Sequence, residues 1–301
     1  MAPWKEKLLT FWFERLRFQL RVAWDILWEA YRAFSRDGCL NLSAALAFYT
    51  ILSLIPLLFL LMSVGGYLLG GSEEAYQMTL SFFERFAPKA SPLIFKEVRA
   101  IAQRAGVLGW VGILAMIWTA SVIFSSLEFA MGVVFRVERQ RNFLKAKLIA
   151  LSMVPGAILI FLLSLSTTPI LELMRAFDVE VWGFSLEKFG FFDFLVRYLF
   201  PYLILTVGFT AIYKIIPNIK IAFQHALAGG ASAALLFEVA RHFFAWKIAS
   251  TQYYSFIYGS LEAIVILVVW VFYSSTILLF CAEVVSAYRR REITLLEKAF
   301  I

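Results

Sequence analysis

Between Glu262 and Glu283 lie twenty consecutive residues without a charge, Ala263–Ala282. At a rise of about 1.5 Å per residue, a helix of that length crosses the roughly 30 Å hydrocarbon core of a bilayer. A soluble fold has little room for one such helix, and this chain has several similar stretches. Leu42–Leu69 carries no charge, and neither does Leu148–Leu171. Val107–Phe135 is interrupted by Glu128 alone, and Phe194–Tyr213 by Arg197. Phe223–Ala249 contains Glu238, Arg241, His242 and, near its end, Lys247. Composition agrees. The chain is 61% hydrophobic and 16% charged, whereas soluble domains average about 45–50% apolar and about 25% charged. Too few polar groups remain to clothe a soluble globule of 301 residues. A membrane barrel would alternate polar and apolar residues in segments of about ten, and these runs are apolar all round. The fold class expected is all-α: a polytopic membrane protein with six transmembrane helices, preceded by an amphipathic interfacial helix. The first forty residues lack the continuous apolar core of a cleavable signal peptide.

The positive charges set the orientation. Segments 1–41, 136–147, 214–224 and 289–301 hold 18 of the 28 lysines and arginines, and the connections on the opposite side hold 8. Cytoplasmic loops carry the excess, so both termini are expected inside. The net charge of +7 then serves mainly as a collar for the membrane, and no nucleic-acid partner is expected. The partners expected are membrane lipids, with a second copy of the chain or other envelope proteins as further candidates. Cys39 and Cys281 fall near the reducing face, so no disulfide is expected.

Three regions follow: a cytoplasmic amphipathic helix over 1–40, a transmembrane domain over 41–290, and a cytoplasmic tail over 291–301. The spans are expected at about 42–69, 107–135, 148–171, 194–213, 223–249 and 262–283. Within the first region Leu9, Phe13, Leu16, Leu20, Trp24, Leu27, Tyr31 and Phe34 recur at steps of three or four and form one stripe. Glu14, Arg17, Arg21, Asp25, Glu29, Arg32 and Arg36 occupy another face. Such a helix lies in the headgroup layer with its apolar face down, or packs under the bundle. Gly38 and Asn41 are expected to break and restart the chain. The outer connections 70–106 and 172–194 are too short for a soluble catalytic domain. Pro56, Pro201 and Pro217 are expected to break helices. With Pro56 and Pro201 opening the two halves, an inverted repeat is one arrangement they allow, although membrane helices tolerate proline generally.

Charges inside a span cost roughly 2.5–3.5 kcal/mol each on insertion scales and so point to function. Glu238 is near mid-membrane, and Arg241 and His242 share its face at i+3 and i+4. Arg197 and Glu262 fall in the same outer half. These groups are expected to converge on a polar pocket open to the periplasm, or else to pin the fourth, fifth and sixth helices together as ion pairs. Glu128 lies about two turns from the cytoplasmic end of its span, and Glu283 sits at the inner interface of the sixth. Ala226, Gly230 and Ala234 place small residues every four positions, which permits close helix packing. The enzymatic alternatives lack their residues. His225 and His242 are the two histidines, with no zinc-ligand spacing, phosphate loop or nucleophile elbow around them. His225 is expected to cap a helix or meet headgroups. No catalytic residue, metal or cofactor is expected.

The second half carries a resemblance. YKIIPNIKIAFQHALAGGASAALLFEVARHFF and YGSLEAIVILVVWVFYSSTILLFCAEVVSA resemble the YihY/BrkB family of bacterial inner-membrane proteins. The matching points are Pro217-Asn218, His225, Gly230, Glu238, Tyr258-Gly259, Trp270 and Ala282-Glu283. ALAFYTILSLIPLL resembles the family's opening motif, and SSLEFAMGVVF its second helix with Glu128 and Ala130 in place. Gly132 and Phe135 depart from the asparagine and tryptophan usual there. The resemblance covers roughly residues 35–290 and implies six membrane helices with cytoplasmic ends, in the bacterial inner membrane. It implies no catalytic residues: the family's old ribonuclease label is regarded as mistaken, and members are linked loosely to envelope lipid or lipopolysaccharide transport. Two functions are therefore expected in competition. One is a transporter or lipid-translocating protein using Glu238, Arg241, His242, Arg197, Glu262, Glu128 and Glu283. The other is a membrane scaffold or envelope-integrity protein acting through partners. An enzyme, a ribonuclease above all, is disfavoured.

Overall fold

A computed structural model describes residues 3–68, 105–138, 198–250 and 262–300, with isolated residues between 141 and 156 and the pairs 180–181 and 184–185. The described chain is helical: α1 (Pro3–Arg36), α2 (Cys39–Leu68), α3 (Ala105–Val134), α4 (Phe200–Ile215), α5 (Phe223–Ser250) and α6 (Glu262–Phe300). The exception is a two-residue antiparallel pair, Glu180–Val181 with Phe184–Ser185. Most of the third expected span, 148–171, lies outside the described residues, as do 70–104 of the first outer connection and all of the second apart from that pair.

One helical stretch whose side chains are described, Ile264–Leu295, is long and apolar enough to cross a membrane, with a mean hydropathy of 2.5 over its most apolar 18 residues. Shorter apolar stretches are Cys39–Ser53, Ser121–Val134 and Phe200–Ile215. The helix that holds the long stretch does not stop where the expected span does. α6 runs 39 residues without a glycine or proline, so 291–301 is, through Phe300, a continuation of the helix and not a separate tail.

Each boundary has a local cause. Gly38, at φ +66°, ends α1 in the left-handed conformation that lacks a Cβ penalty for glycine. Asn41 falls inside α2 and does not restart the chain, since its N–H already bonds the Gly38 carbonyl at 2.9 Å. The end of α3 uses the same device with a costlier residue. Arg136 has φ +52°, and the Val137 N–H reaches back to the Gly132 carbonyl at 2.9 Å, the closing bond of a Schellman turn. Pro56 does not break its helix: α2 continues through it to Leu68. Nearby hydroxyls bond the preceding turns, Thr50 Oγ1 to the Leu46 carbonyl at 2.8 Å and Ser53 Oγ to that of Thr50 at 2.6 Å. Pro201 starts α4 instead of breaking it, because its missing N–H falls where a helix has no partner for one. Pro217 does lie beyond the end of α4, in the 216–222 connection.

α2 packs along α3 and α4 along α5, while α6 touches α1, α2, α3 and α5. The core sits at one end of this assembly. Phe34, Cys39, Leu46, Met131, Val134, Tyr213, Ile221, Ala226, Leu279, Cys281 and Val285 form one buried cluster. They come from the end of α1, the start of α2, the ends of α3 and α4 with the connection that follows, the start of α5 and the middle of α6. Arg141 clamps this end: its Nη2 donates to the Ile215 carbonyl at 2.8 Å and its Nε to Asn218 Oδ1 at 3.1 Å. The Lys214 ammonium donates to the Ile221 carbonyl. α4 and α5 meet through small residues. A methyl on Gly230 would press on the Thr210 hydroxyl and stand 2.8 Å from the Thr210 nitrogen and 2.9 Å from the Thr206 carbonyl oxygen. Only glycine lets the two backbones approach this closely.

The face α1 presents to the bundle differs from the expected stripe. Ile26 and Ala30 are buried against Ala287, with Val22 and Val284 alongside. Glu29 accepts from Arg290 at 3.0 Å, and Asp25 stands 3.8 Å from Arg291. Phe34 alone of the stripe's described residues is buried, while Leu20, Trp24, Leu27 and Tyr31 are exposed. Beside Ile26 and Phe34, the bundle takes up the small Ala30 and Ala33 and leaves most of the large stripe residues outside.

Candidate functional site

Two groups of polar side chains stand among the apolar helices. The first is the set on α5. Arg241 Nη2 lies 2.8 Å from Glu238 Oε2, one turn apart. His242 Nδ1 lies 2.9 Å from the Glu238 carbonyl oxygen and 3.8 Å from Oε2. The acid is mostly covered at 16% exposure, whereas the guanidinium is 48% and the imidazole 61% exposed. The second carboxylate oxygen of Glu238, Oε1, is buried without a hydrogen-bond partner among the described residues. Packing holds the pair in place: Trp270 of α6 lies between Phe237 and Phe244, with ring centroids 5.3 and 5.1 Å away. An ion pair with one buried and one accessible member can accept an anion on the arginine while the carboxylate keeps its local partner.

The expected convergence on this pair reaches beyond the described residues. Arg197 falls outside them. Glu262 is the first residue of α6, and its side chain is not among those described. Glu128, on α3, is half-buried with no ion pair among the described residues. Glu283 belongs elsewhere. It lies thirteen residues beyond Trp270 on α6, about 20 Å along the axis.

The second group surrounds Glu283, which is fully buried within the bundle. The Cys39 thiol donates to its Oε1 at 3.8 Å. Asp37, in the turn between α1 and α2, is close enough to be its hydrogen-bond partner, and the charges of Arg136 and Arg290 also act on it. Arg36 Nε donates to Asp37 Oδ1 at 2.8 Å. Arg290 Nη1 donates to Ser286 Oγ at 2.7 Å, and Ser286 Oγ donates to the Val134 carbonyl at 2.9 Å. Burial first, then the negative field of Glu283 and Asp37, pushes the Cys39 thiol up to about 12. Sequence reading missed this group, because its members come from both ends of the chain, Arg36 to Cys39 and Glu283 to Arg290, with Arg136 between them. The available signal was Ala282-Glu283 following twenty uncharged residues: a carboxyl at the end of a span needs partners, and Asp37 and Cys39 flank the one turn that can supply them.

His225 departs from its expected role. It is buried rather than turned toward headgroups, with Nε2 at 3.5 Å from Glu292 Oε2 and its ring 4.6 Å from that of Tyr288. It ties the start of α5 to the extension of α6. No group of three or more histidine, cysteine or acidic side chains suited to a metal occurs among the described residues.

Comparison with known proteins places these observations in a family. A family profile described as "Virulence factor BrkB" matches residues 30–299. A UPF0761 membrane protein of Alkalilimnicola ehrlichii is 30% identical over 269 residues, 89% of this chain and 59% of that protein. One from Legionella pneumophila is 27% identical over 95% of this chain and 65% of its own length. One from Aliivibrio salmonicida is 26% identical over 95% of this chain and 90% of its own length. The chain thus spans about three-fifths of the first two relatives. No solved structure matches.

Proposed function

The chain belongs to the virulence factor BrkB family of membrane proteins, and on that premise we propose that it translocates a lipid or similar amphiphile across the bacterial inner membrane. In this reading six helices span the bilayer and both termini are cytoplasmic. The lengths of α2, α3 and α5, at 30, 30 and 28 residues, support three further spans beside α6. Gathering the basic segments around the packed end of the bundle supports the orientation.

The observation that carries the reading is the Glu238–Arg241 pair. From Phe223 to Trp246 these are the only Asp, Glu, Lys or Arg residues of α5. Their cost in hydrocarbon is cut by pairing, yet the guanidinium stays about half accessible. An anionic headgroup phosphate fits that arrangement, with arginine as its donor. A second feature suits the acyl chains. An open apolar cavity of about 430 Å³ runs between α2 and α6, lined by Ala47, Phe48, Ile51, Leu52, Val268 and Phe272 among others.

The test is a lipid-flip assay in proteoliposomes with fluorescent or spin-labelled phospholipid. The wild type should accelerate exchange between leaflets. Arg241→Ala should lose most of that rate, and Glu238→Gln should change it. Equal background rates in all three would remove the reading. The scaffold alternative draws on the exposed aromatic face of α1. It is favoured if all variants leave exchange at background while shortening α1 abolishes function in cells.

A further inference from the structure

We propose that Asp37 and Glu283 hold one proton between them and so form a proton-binding site at the base of the bundle, where α1, α2, α3 and α6 meet. The inference stands apart from lipid translocation and rests on a count of oxygens. The two carboxyls have four. Arg36 donates to Oδ1 of Asp37, and the Cys39 thiol donates to Oε1 of Glu283. The two left over, Asp37 Oδ2 and Glu283 Oε2, are both buried with no hydrogen-bond partner among the described residues. With both groups ionised, two orphaned acceptors and two negative charges share one dry space, at a cost each would avoid in water. One proton turns either group into a donor to the other and removes one of the charges, as in other paired carboxyls.

The surroundings favour a proton over a metal cation. Arg36 and Glu29 face the cluster from α1, and Cys39 faces it from α2, where the Ser43 hydroxyl is spent on the Cys39 carbonyl. Arg136 does so from the end of α3, and Arg290 from α6 itself. A metal would meet three guanidinium groups and a thiol held in its protonated form, with two carboxyls as its anionic ligands. Arg290 does not relieve Glu283 directly. Its Nε is engaged by Glu29 and its Nη1 by Ser286, and its Nη2 is itself buried without a partner.

The test is infrared spectroscopy of the full chain in lipid nanodiscs at neutral pH. A protonated carboxyl has a C=O stretch distinct from that of a carboxylate, and deuterium exchange moves it. The wild type should show such a band, lost in Glu283→Gln and shifted or lost in Asp37→Asn. Thermal unfolding gives an independent measure. Glu283→Gln keeps a donor where the proton sat and should unfold close to the wild type, whereas Glu283→Ala should unfold earlier. The proposal is overturned if neither substitution alters the band, or if the Gln and Ala variants unfold equally early. It is also overturned if sodium, magnesium or calcium raises the unfolding temperature and a chelator lowers it, since a metal would then occupy the site. Should Glu283→Gln fail to fold, the Asp37→Asn spectrum decides: an unchanged band refutes the shared proton.

Discussion

Gly230→Ala should destabilise the protein by an amount that one control isolates. The added methyl would lie 2.8 Å from the Thr210 nitrogen and 2.9 Å from the Thr206 oxygen, where ordinary contact begins at 3.4 Å. Both neighbours are backbone of α4, so no side-chain rotation relieves them, and the helices must part by about half an ångström. Overpacking of this kind costs about 1–3 kcal/mol. Alanine also gains about 0.5–1 kcal/mol over glycine inside a helix, which masks part of that cost. Gly132→Ala supplies the correction: no atom lies within 4 Å of its added methyl, so it takes the propensity gain alone. The difference between the two variants is therefore the steric term, about 1–3 kcal/mol in favour of Gly132→Ala. Gly229→Ala should fall between, because the atom it meets closely is a methyl of the Val285 side chain. Equilibrium unfolding of the purified protein in mixed micelles, in increasing sodium dodecyl sulfate, measures all three. Equal stability of Gly230→Ala and Gly132→Ala would show that α4 and α5 are not as close as described.

Other expectations follow from the same geometry. Cys39, pushed up to about 12 from 9.0, has roughly a thousandth of the ordinary thiolate at pH 8. Maleimide should leave it unmodified in the folded protein and label it on unfolding, as intact-mass spectrometry will read; fast labelling of the native protein would contradict its burial. Ala30→Leu adds bulk where Ala30 and Ala287 are both fully buried, and should expose α1 to protease by lifting it from α6. Trp24→Leu on the opposite face should leave the protease pattern unchanged. Arg141→Ala removes donors to Ile215 and Asn218 and should cost about 1–3 kcal/mol, seen as an earlier unfolding midpoint. Arg141→Lys should not restore it, since one ammonium cannot reach both acceptors as a guanidinium fork does.

The sequence indicated where several helices run, because long uncharged apolar stretches are read from it directly. Ala263–Ala282 read directly as the body of α6, and 223–249 matches α5 to within a residue at each end. The small residues at Ala226, Gly230 and Ala234 likewise marked a close helix contact. The i, i+3 spacing of Glu238 and Arg241 announced their ion pair. Less legible was the face that α1 turns to the bundle: of the described residues in the apolar stripe Phe34 alone is buried, and the exposed remainder suits the headgroup placement equally expected for it. Periodicity finds where the large apolar residues lie, and in water that face is the buried one. Beside a bilayer the large residues can stay outside while alanines mark the packing side, as Ala30 and Ala33 do here. The Glu283 group was hidden for another reason. Its members lie near positions 37, 136, 283 and 290, and only the three-dimensional meeting of four elements brings a turn of α1–α2 under the end of α6.

The unbroken length of α6 has a mechanical consequence. Its 39 residues make a rod of about 58 Å, nearly twice the thickness of the hydrocarbon core. About 26 Å of that rod extends past Glu283, and α1 is strapped to it through Glu29–Arg290 and the Ile26–Ala30–Ala287 contact. Tilting α6 by about 10° would swing its far end by about 4–5 Å and carry the attached part of α1 with it. A small rearrangement beside Trp270 and the α5 ion pair would thus register as a large displacement at the far end of α6.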